Sequence, residues 1–312
     1  MSIVEALKWA APSVLTIGAL VCGLTAVRYS AEGDFEGCVK CIFLACILDG
    51  LDGHTARALG TCSAMGFELD SLCDLANFGV CPALVLHFWM KTKEAAGESN
   101  NLPILLQCSW YQGCASTLEW AGCCAHAAAC ALRLARFNVQ GHAEQMDSQH
   151  IKSPPKSPKP RTGSAIAHNL LQRQMYFQGL PAPMGAAYAM FPVALSLSSF
   201  PDHFGAIGEA GAWAIGRRGT TITLVGTAML MVSSLPTLSS KMLKSTSSDT
   251  HLQSRSMLTA LLIKPVFGAV LVVCVWTKPF ESFVTGVFLH ILTIPVGLVI
   301  YYTWAKEGKK HG

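Results

Sequence analysis

Long apolar stretches separated by short polar joints run through the 312-residue chain. Apolar length predicts eight helices, at roughly 10–28, 36–58, 66–90, 111–137, 180–199, 219–239, 257–277 and 282–304. A bilayer needs about 20 predominantly apolar residues per spanning helix, so the pattern reads as an all-α, polytopic membrane helix bundle of about eight spans. The span at 111–137 is weakly hydrophobic and rich in Ala, Cys and Gly. Small residues let helices approach closely in lipid, which places this span inside the bundle. One segment breaks the pattern. Residues 141–175 are polar and contain SPPKSPKPRTGS, too rich in Pro, Ser and Lys to bury a core. We expect a disordered cytosolic loop there, between spans four and five, in an otherwise single membrane-embedded domain over 1–312. The loop reads as an inert linker or, more sharply, as a tether to anionic headgroups or a regulatory segment. Ser153 and Ser157 each precede a Pro, a context that permits phosphorylation.

Composition sharpens this picture. Only 13% of residues are charged, against roughly a quarter in soluble domains, which argues against a soluble protein. Most of the 13 cysteines sit in apolar spans, among them Cys41, Cys46, Cys123, Cys124, Cys130 and Cys274, where free cysteine behaves as a small hydrophobe. Cys38 and Cys41 have zinc-ligand spacing, but no second pair follows at a fitting distance. The opening residues MSIVEALKWA lack a basic n-region, so no cleaved signal peptide is expected.

Charge also gives an orientation. Eight spans put both termini on one side. That side carries Lys8, Arg57, Lys152, Lys156, Lys159, Arg161, Arg173, Lys241, Lys244, Arg255 and the basic tail. The other side carries fewer, including Arg28, Lys91, Arg217 and Lys278. Positive charge favours the cytosol, so the larger set is expected there.

Against this apolar background stand Asp49, Asp52, Asp70 and Asp74. One carboxylate at membrane depth costs on the order of 3 kcal/mol even on the lenient insertion scale, so a cluster of them calls for a cation. Positions 49, 52 and 56 share one helix face, and 66, 70 and 74 share a face of the next. A turn over Leu59–Met65 makes the two helices an antiparallel pair whose carboxylates converge. Hard oxygen donors suit Mg²⁺ or Mn²⁺, and four carboxylates suffice for two ions, the arrangement that clamps attacking and leaving oxygens in phosphoryl displacement. Gly53, Ala56 and Gly66 leave room for a nucleotide against the backbone, and Arg57 can hold a phosphate. The bland alternative, polar pairs joining helices, needs partner cations that this helix pair does not supply.

The spacing D-x2-D-G-x2-A-R-x8-G-x3-D-x3-D, from Asp49 to Asp74, resembles the signature of the CDP-alcohol phosphatidyltransferase family at every fixed position. RLARFNV (Arg133–Val139), FQGLPAP (Phe177–Pro183) and SSLPTLSSK (Ser233–Lys241) resemble its phosphatidylserine synthase branch, and the likeness runs from about residue 12 to 300. The resemblance implies the CDP-alcohol phosphotransferase fold, CDP-diacylglycerol and L-serine as substrates, phosphatidylserine and CMP as products, and a place in phospholipid biosynthesis. It implies Asp49, Asp52, Asp70 and Asp74 as metal ligands and Asp74 as the general base; the residues alone do not separate Asp74 from Asp70. It further implies a homodimer.

The insertion at 141–175 and the polar connection at 202–218 depart from the compact pattern of bacterial and archaeal members, which bears on regulation and localisation. Arg133, Arg136 and Asn138 read either as snorkelling anchors or as an acceptor pocket, since a guanidinium suits the carboxylate of serine. Lys241 stands between phosphate contact and anchoring. His126 reads as a packed residue. Alternatives remain open: the same chemistry with glycerol 3-phosphate or inositol phosphate as acceptor, or a cation transporter, which predicts an inverted repeat that the single aspartate cluster does not show. The inserted loop and cysteine-rich spans favour the endoplasmic reticulum membrane, with a cytoplasmic membrane the expectation for a bacterial chain. No nucleic-acid partner is expected.

Overall fold

A computed structural model describes residues 3–96, 109–151, 176–200, 215–233, 236–238 and 277–308. Helix α1 (Ile3–Glu32) ends at Gly33, whose φ of 84° reverses the chain. Asp34 then caps α2 (Phe35–Leu59), accepting the Gly37 N–H at 2.9 Å. Gly60, left-handed at φ 65°, terminates α2, and the Thr61 N–H closes the turn on the Ala56 carbonyl at 3.0 Å. Ser63 caps α3 (Ala64–Asp74) by accepting the Gly66 N–H at 3.0 Å. A π-helical segment (Leu75–Val80) links α3 without a break to α4 (Cys81–Ala95). There follow α5 (Ser109–Ile151), β1 (Tyr176–Gln178), α6 (Ala182–Leu197), α7 (Arg217–Val232), β2 (Pro236–Leu238) and α8 (Pro279–Gly308).

Seven of the eight expected helices have a described counterpart, and the seventh, 257–277, lies outside the described residues except for its last position. Two helical runs, Lys8–Glu32 and Ala64–Ala95, are long and apolar enough to cross a membrane. Three details depart from expectation. Helix α5 runs to Ile151, into the segment expected to be disordered from 141; Ala, Glu, Gln and Met there favour helix, and the first proline comes only at Pro154. Residues 152–175 lie outside the described residues. Helix α7 stops at Val232 rather than 239, and Pro236–Leu238 are strand β2; Pro236 has no N–H to give a continuing helix. The all-α reading also needs one amendment: β1 and β2 pair antiparallel, Tyr176 with Leu238 and Gln178 with Pro236.

The chain groups into two compact units. The first comprises residues 1–138 and 181–232. In it α1 packs along α2 and also meets α3, the π segment and α4, while α6 packs on the π segment and α7. Phe78, Leu86, Met90, Met190, Leu224, Met231 and His126 are among its fully buried large side chains. Close approach depends on missing side chains. A Cβ at Gly185 would lie 2.5 Å from Met231 Sδ, and one at Gly23 only 2.2 Å from Asn77 Oδ1. Val14, Ile17, Val21 and Leu24 form an exposed apolar stripe on α1, and Phe43, Leu44, Ile47 and Leu51 are exposed on α2. Large apolar faces of this kind suit lipid rather than water.

At the start of α7, Arg217 makes a two-pronged pair with Glu119 of α5 (2.8 and 3.0 Å) and reaches Glu94 of α4 at 3.5 Å. The second unit, residues 139–180 and 233–312, contains the β1–β2 ladder, with α8 against β2.

Candidate metal centre and active site

The α2 cap at Gly60 and the α3 cap at Ser63 turn the chain back within a few residues, so α3 returns its acidic face toward the end of α2. Asp49 of α2 and Asp70 and Asp74 of α3 each offer one carboxylate oxygen, and these oxygens all lie within 4.8 Å of one another. Asp49 and Asp74 approach closely enough for their carboxyls to share a proton. The second oxygen of Asp74, Oδ1, is buried without any hydrogen-bond partner. Carboxylates this close cannot all carry their charge unless something positive lies between them.

Asp52 stands outside this trio. It is buried, 4% exposed, and accepts the Thr16 hydroxyl of α1 on Oδ2. It remains within electrostatic range of Asp49 and Asp70. Thr16 was not singled out in the sequence; the available signal was a hydroxyl one turn after Pro12 in an apolar helix. That hydroxyl also lies 3.0 Å from the Pro12 carbonyl, and donation to the carboxylate is the stronger, charge-assisted choice.

Two guanidiniums face the acids. Arg57 lies over Gly53, so that a Cβ at Gly53 would sit 3.3 Å from Arg57 Nη1, and its charge acts on Asp70. Arg133 of α5 acts on Asp74, and its Nε is buried and unpartnered. Four carboxylates against these two guanidiniums leave a net negative site, and the uncommitted Asp74 Oδ1 supplies a donor atom. The set fits a hard divalent cation.

Ala56 is half-buried on the α2 face between Asp52 and Arg57. The Gly66 N–H is taken by Ser63. Asn138 Nδ2 donates to Ser71 Oγ at 3.1 Å, which ties α5 to the turn between Asp70 and Asp74. Arg136 is exposed and donates from Nη1 to the Val232 carbonyl at 2.7 Å, capping α7 rather than facing the acids. Lys241 lies outside the described residues. All the described candidates belong to the first unit.

A model of the CDP-alcohol phosphatidyltransferases matches residues 9–215, which includes every one of these acids and guanidiniums. The chain belongs to the CDP-alcohol phosphatidyltransferase family. Among relatives within this family, one from Mycobacterium tuberculosis, named CDP-diacylglycerol–serine O-phosphatidyltransferase, is 33% identical over 225 residues, 72% of this chain and 59% of its own length. A Mycobacterium leprae relative of the same name is 32% identical over 225 residues, 72% of this chain and 57% of its own. One from Bacillus subtilis, again of that name, is 41% identical over 76 residues, 24% of this chain and 43% of its own. The chain thus spans less than two thirds of the mycobacterial relatives it matches.

Proposed function

We propose that this family member transfers the phosphatidyl group of CDP-diacylglycerol to L-serine, giving phosphatidylserine and CMP. The observation that carries the reading is the Asp49–Asp70–Asp74 trio with its uncommitted Asp74 oxygen, with the charge of Arg57 acting on Asp70 and that of Arg133 on Asp74. Relatives that share the family are named for this reaction.

Asp49, Asp70 and Asp74, with Asp52 beside them, would hold Mg²⁺ or Mn²⁺, two ions by charge. Such ions, when bound, neutralise diphosphate charge and stabilise the attacking and leaving oxygens. Arg57 holds a phosphate of the diphosphate, and Gly53, Ala56 and Gly66 give the nucleotide room against the backbone. Asp74 takes the proton from the serine hydroxyl. A bond forms between that oxygen and the β-phosphorus, and the bond from the β-phosphorus to the CMP oxygen breaks. Arg133 is the natural receptor for the serine carboxylate, with Asn138 steadying its helix against Ser71.

We further place these groups in a single catalytic domain of an eight-span bundle, acting as a homodimer, with the site facing the cytosol. The membrane is that of the endoplasmic reticulum in a eukaryotic cell and the cytoplasmic membrane otherwise.

The test measures CMP release from CDP-diacylglycerol in detergent, with serine, glycerol 3-phosphate, inositol and inositol phosphate supplied one at a time. Serine should drive release, with phosphatidylserine as product. EDTA should abolish it, Mn²⁺ or Mg²⁺ should restore it, and Asp74→Asn should stay inactive throughout. Release driven by another acceptor overturns the serine assignment, and release that survives chelation overturns the metal reading.

A further inference from the structure

The helix that carries Asp70 and Asp74 does not continue as an α-helix. From Leu75 to Val80 it widens into a π segment, in which the Cys81 N–H bonds the Ala76 carbonyl, five residues back. Such a segment holds about one residue more than the α-helix it interrupts, so it shifts the faces of α3 and α4 by about 100° relative to each other. Relaxation to α-helix would therefore turn the Asp70–Asp74 face away from Asp49, while α4 kept its buried Val85, Leu86 and Trp89.

The segment has a built-in defect. Pro82, in the first turn of α4, has no N–H, so the Phe78 carbonyl lacks the partner an α-helix would give it. His126 of α5 stands there. It is fully buried, with Nε2 3.1 Å from the Phe78 carbonyl and Nδ1 3.1 Å from the Thr227 hydroxyl of α7. Only a donor satisfies a carbonyl, which places the imidazole proton on Nε2. Nδ1 then accepts from Thr227, whose hydroxyl otherwise lies 2.9 Å from the Leu224 carbonyl.

The same face of α5 continues down the acidic helix. Cys130 packs on Gly79, where a Cβ would come within 2.9 Å of Cys130 Cβ, and Arg133 faces Asp74. His126, Cys130 and Arg133 follow helical spacing, so one stripe meets the π segment and the acids together.

We propose that His126 is a positioning residue: its bond to the Phe78 carbonyl holds the π segment and thereby sets Asp70 and Asp74 against Asp49. The inference rests on the metal reading given under Proposed function and goes beyond it. A packed histidine with a purely structural role would contribute to stability without touching cation affinity.

The test uses the full chain in lipid nanodiscs, with Mn²⁺ binding to the substrate-free protein read by electron paramagnetic resonance, beside kcat, KM and thermal unfolding. His126→Leu should weaken Mn²⁺ binding and lower kcat by about tenfold or more, as loss of an outer support of a metal site does, with KM for serine little changed. His126→Gln, which keeps a donor for the carbonyl, should return both to near wild type. Should the leucine variant fail to fold, Thr227→Val carries the test, with Mn²⁺ binding weakened by about threefold. Unchanged Mn²⁺ affinity in the folded leucine or valine variant, or a glutamine variant as impaired as leucine, overturns the positioning role alone. A wild-type protein that binds no Mn²⁺ overturns the metal reading and this inference with it.

Discussion

Glu119 and Arg217 give the sharpest energetic prediction, because the structure separates their pair from its surroundings. Glu119 is buried and Arg217 nearly so, their side chains 8% and 10% exposed, and two parallel contacts of 2.8 and 3.0 Å join them. The third partner, Glu94, is 41% exposed and 3.5 Å away. A pair so exposed contributes less than about 1 kcal/mol. Glu119→Ala leaves a buried guanidinium with only that weak partner, at a cost of about 3–5 kcal/mol. Rotation of Arg217 toward Glu94 offsets part of this, so the lower figure applies. At about 2–4 °C per kcal/mol for a unit of this size, the unfolding midpoint should fall on the order of 10 °C.

The control decides the cause. Glu119→Leu with Arg217→Met removes both charges and keeps the volume, which is commonly neutral or better, so the double variant should unfold within a few degrees of wild type. Thermal unfolding in detergent, followed by size-exclusion recovery, reads all three proteins. Two results would refute the reasoning: Glu119→Ala unfolding with wild type, or the double variant falling as far as the single. Glu94→Gln should move the midpoint little, which separates the buried contact from the exposed one.

The acids were legible because spacing alone controls them. Asp49, Asp70 and Asp74 meet through two caps, Gly60 and Ser63, that any reading of helix ends would place between the two periodic runs. Asp52 shows the limit of spacing. It shares the α2 face with Asp49, yet α1 comes close enough for Thr16 to take one of its oxygens, and which helix packs there is a tertiary fact that no local pattern encodes. The π segment was invisible for a related reason. Periodicity over 66–90 assumes a constant turn, and an apolar run such as LANFGV looks the same wound either way; Pro82 was the one mark of a missing donor. The ladder between Tyr176–Gln178 and Pro236–Leu238 joins residues sixty apart that motif reading treated as separate. Arg136 and Arg133 stand three residues apart on α5, and only packing shows that one caps α7 while the other faces Asp74.

Three smaller substitutions probe the same construction. Gly60→Ala forces a side chain into the left-handed cap at φ 65° and should cost about 1 kcal/mol by thermal unfolding; no shift would mean that the turn relaxes freely. Gly23→Ala sets a Cβ 2.2 Å from Asn77 Oδ1 and should destabilise by about 1–3 kcal/mol, a loss that Asn77→Ala in the same chain should largely relieve. Thr16→Val keeps the shape of the side chain and removes the hydroxyl that Asp52 accepts, a charge-assisted bond worth about 1.5–3 kcal/mol where the carboxylate is buried. If that bond fixes Asp52 beside the metal trio, valine should lower CMP release by about tenfold or more, since 1.4 kcal/mol is a factor of ten, while Thr16→Ser, which retains the hydroxyl, stays near wild type. Equal loss in serine and valine would assign the effect to packing between α1 and α2 and remove the hydrogen bond from the account of the site.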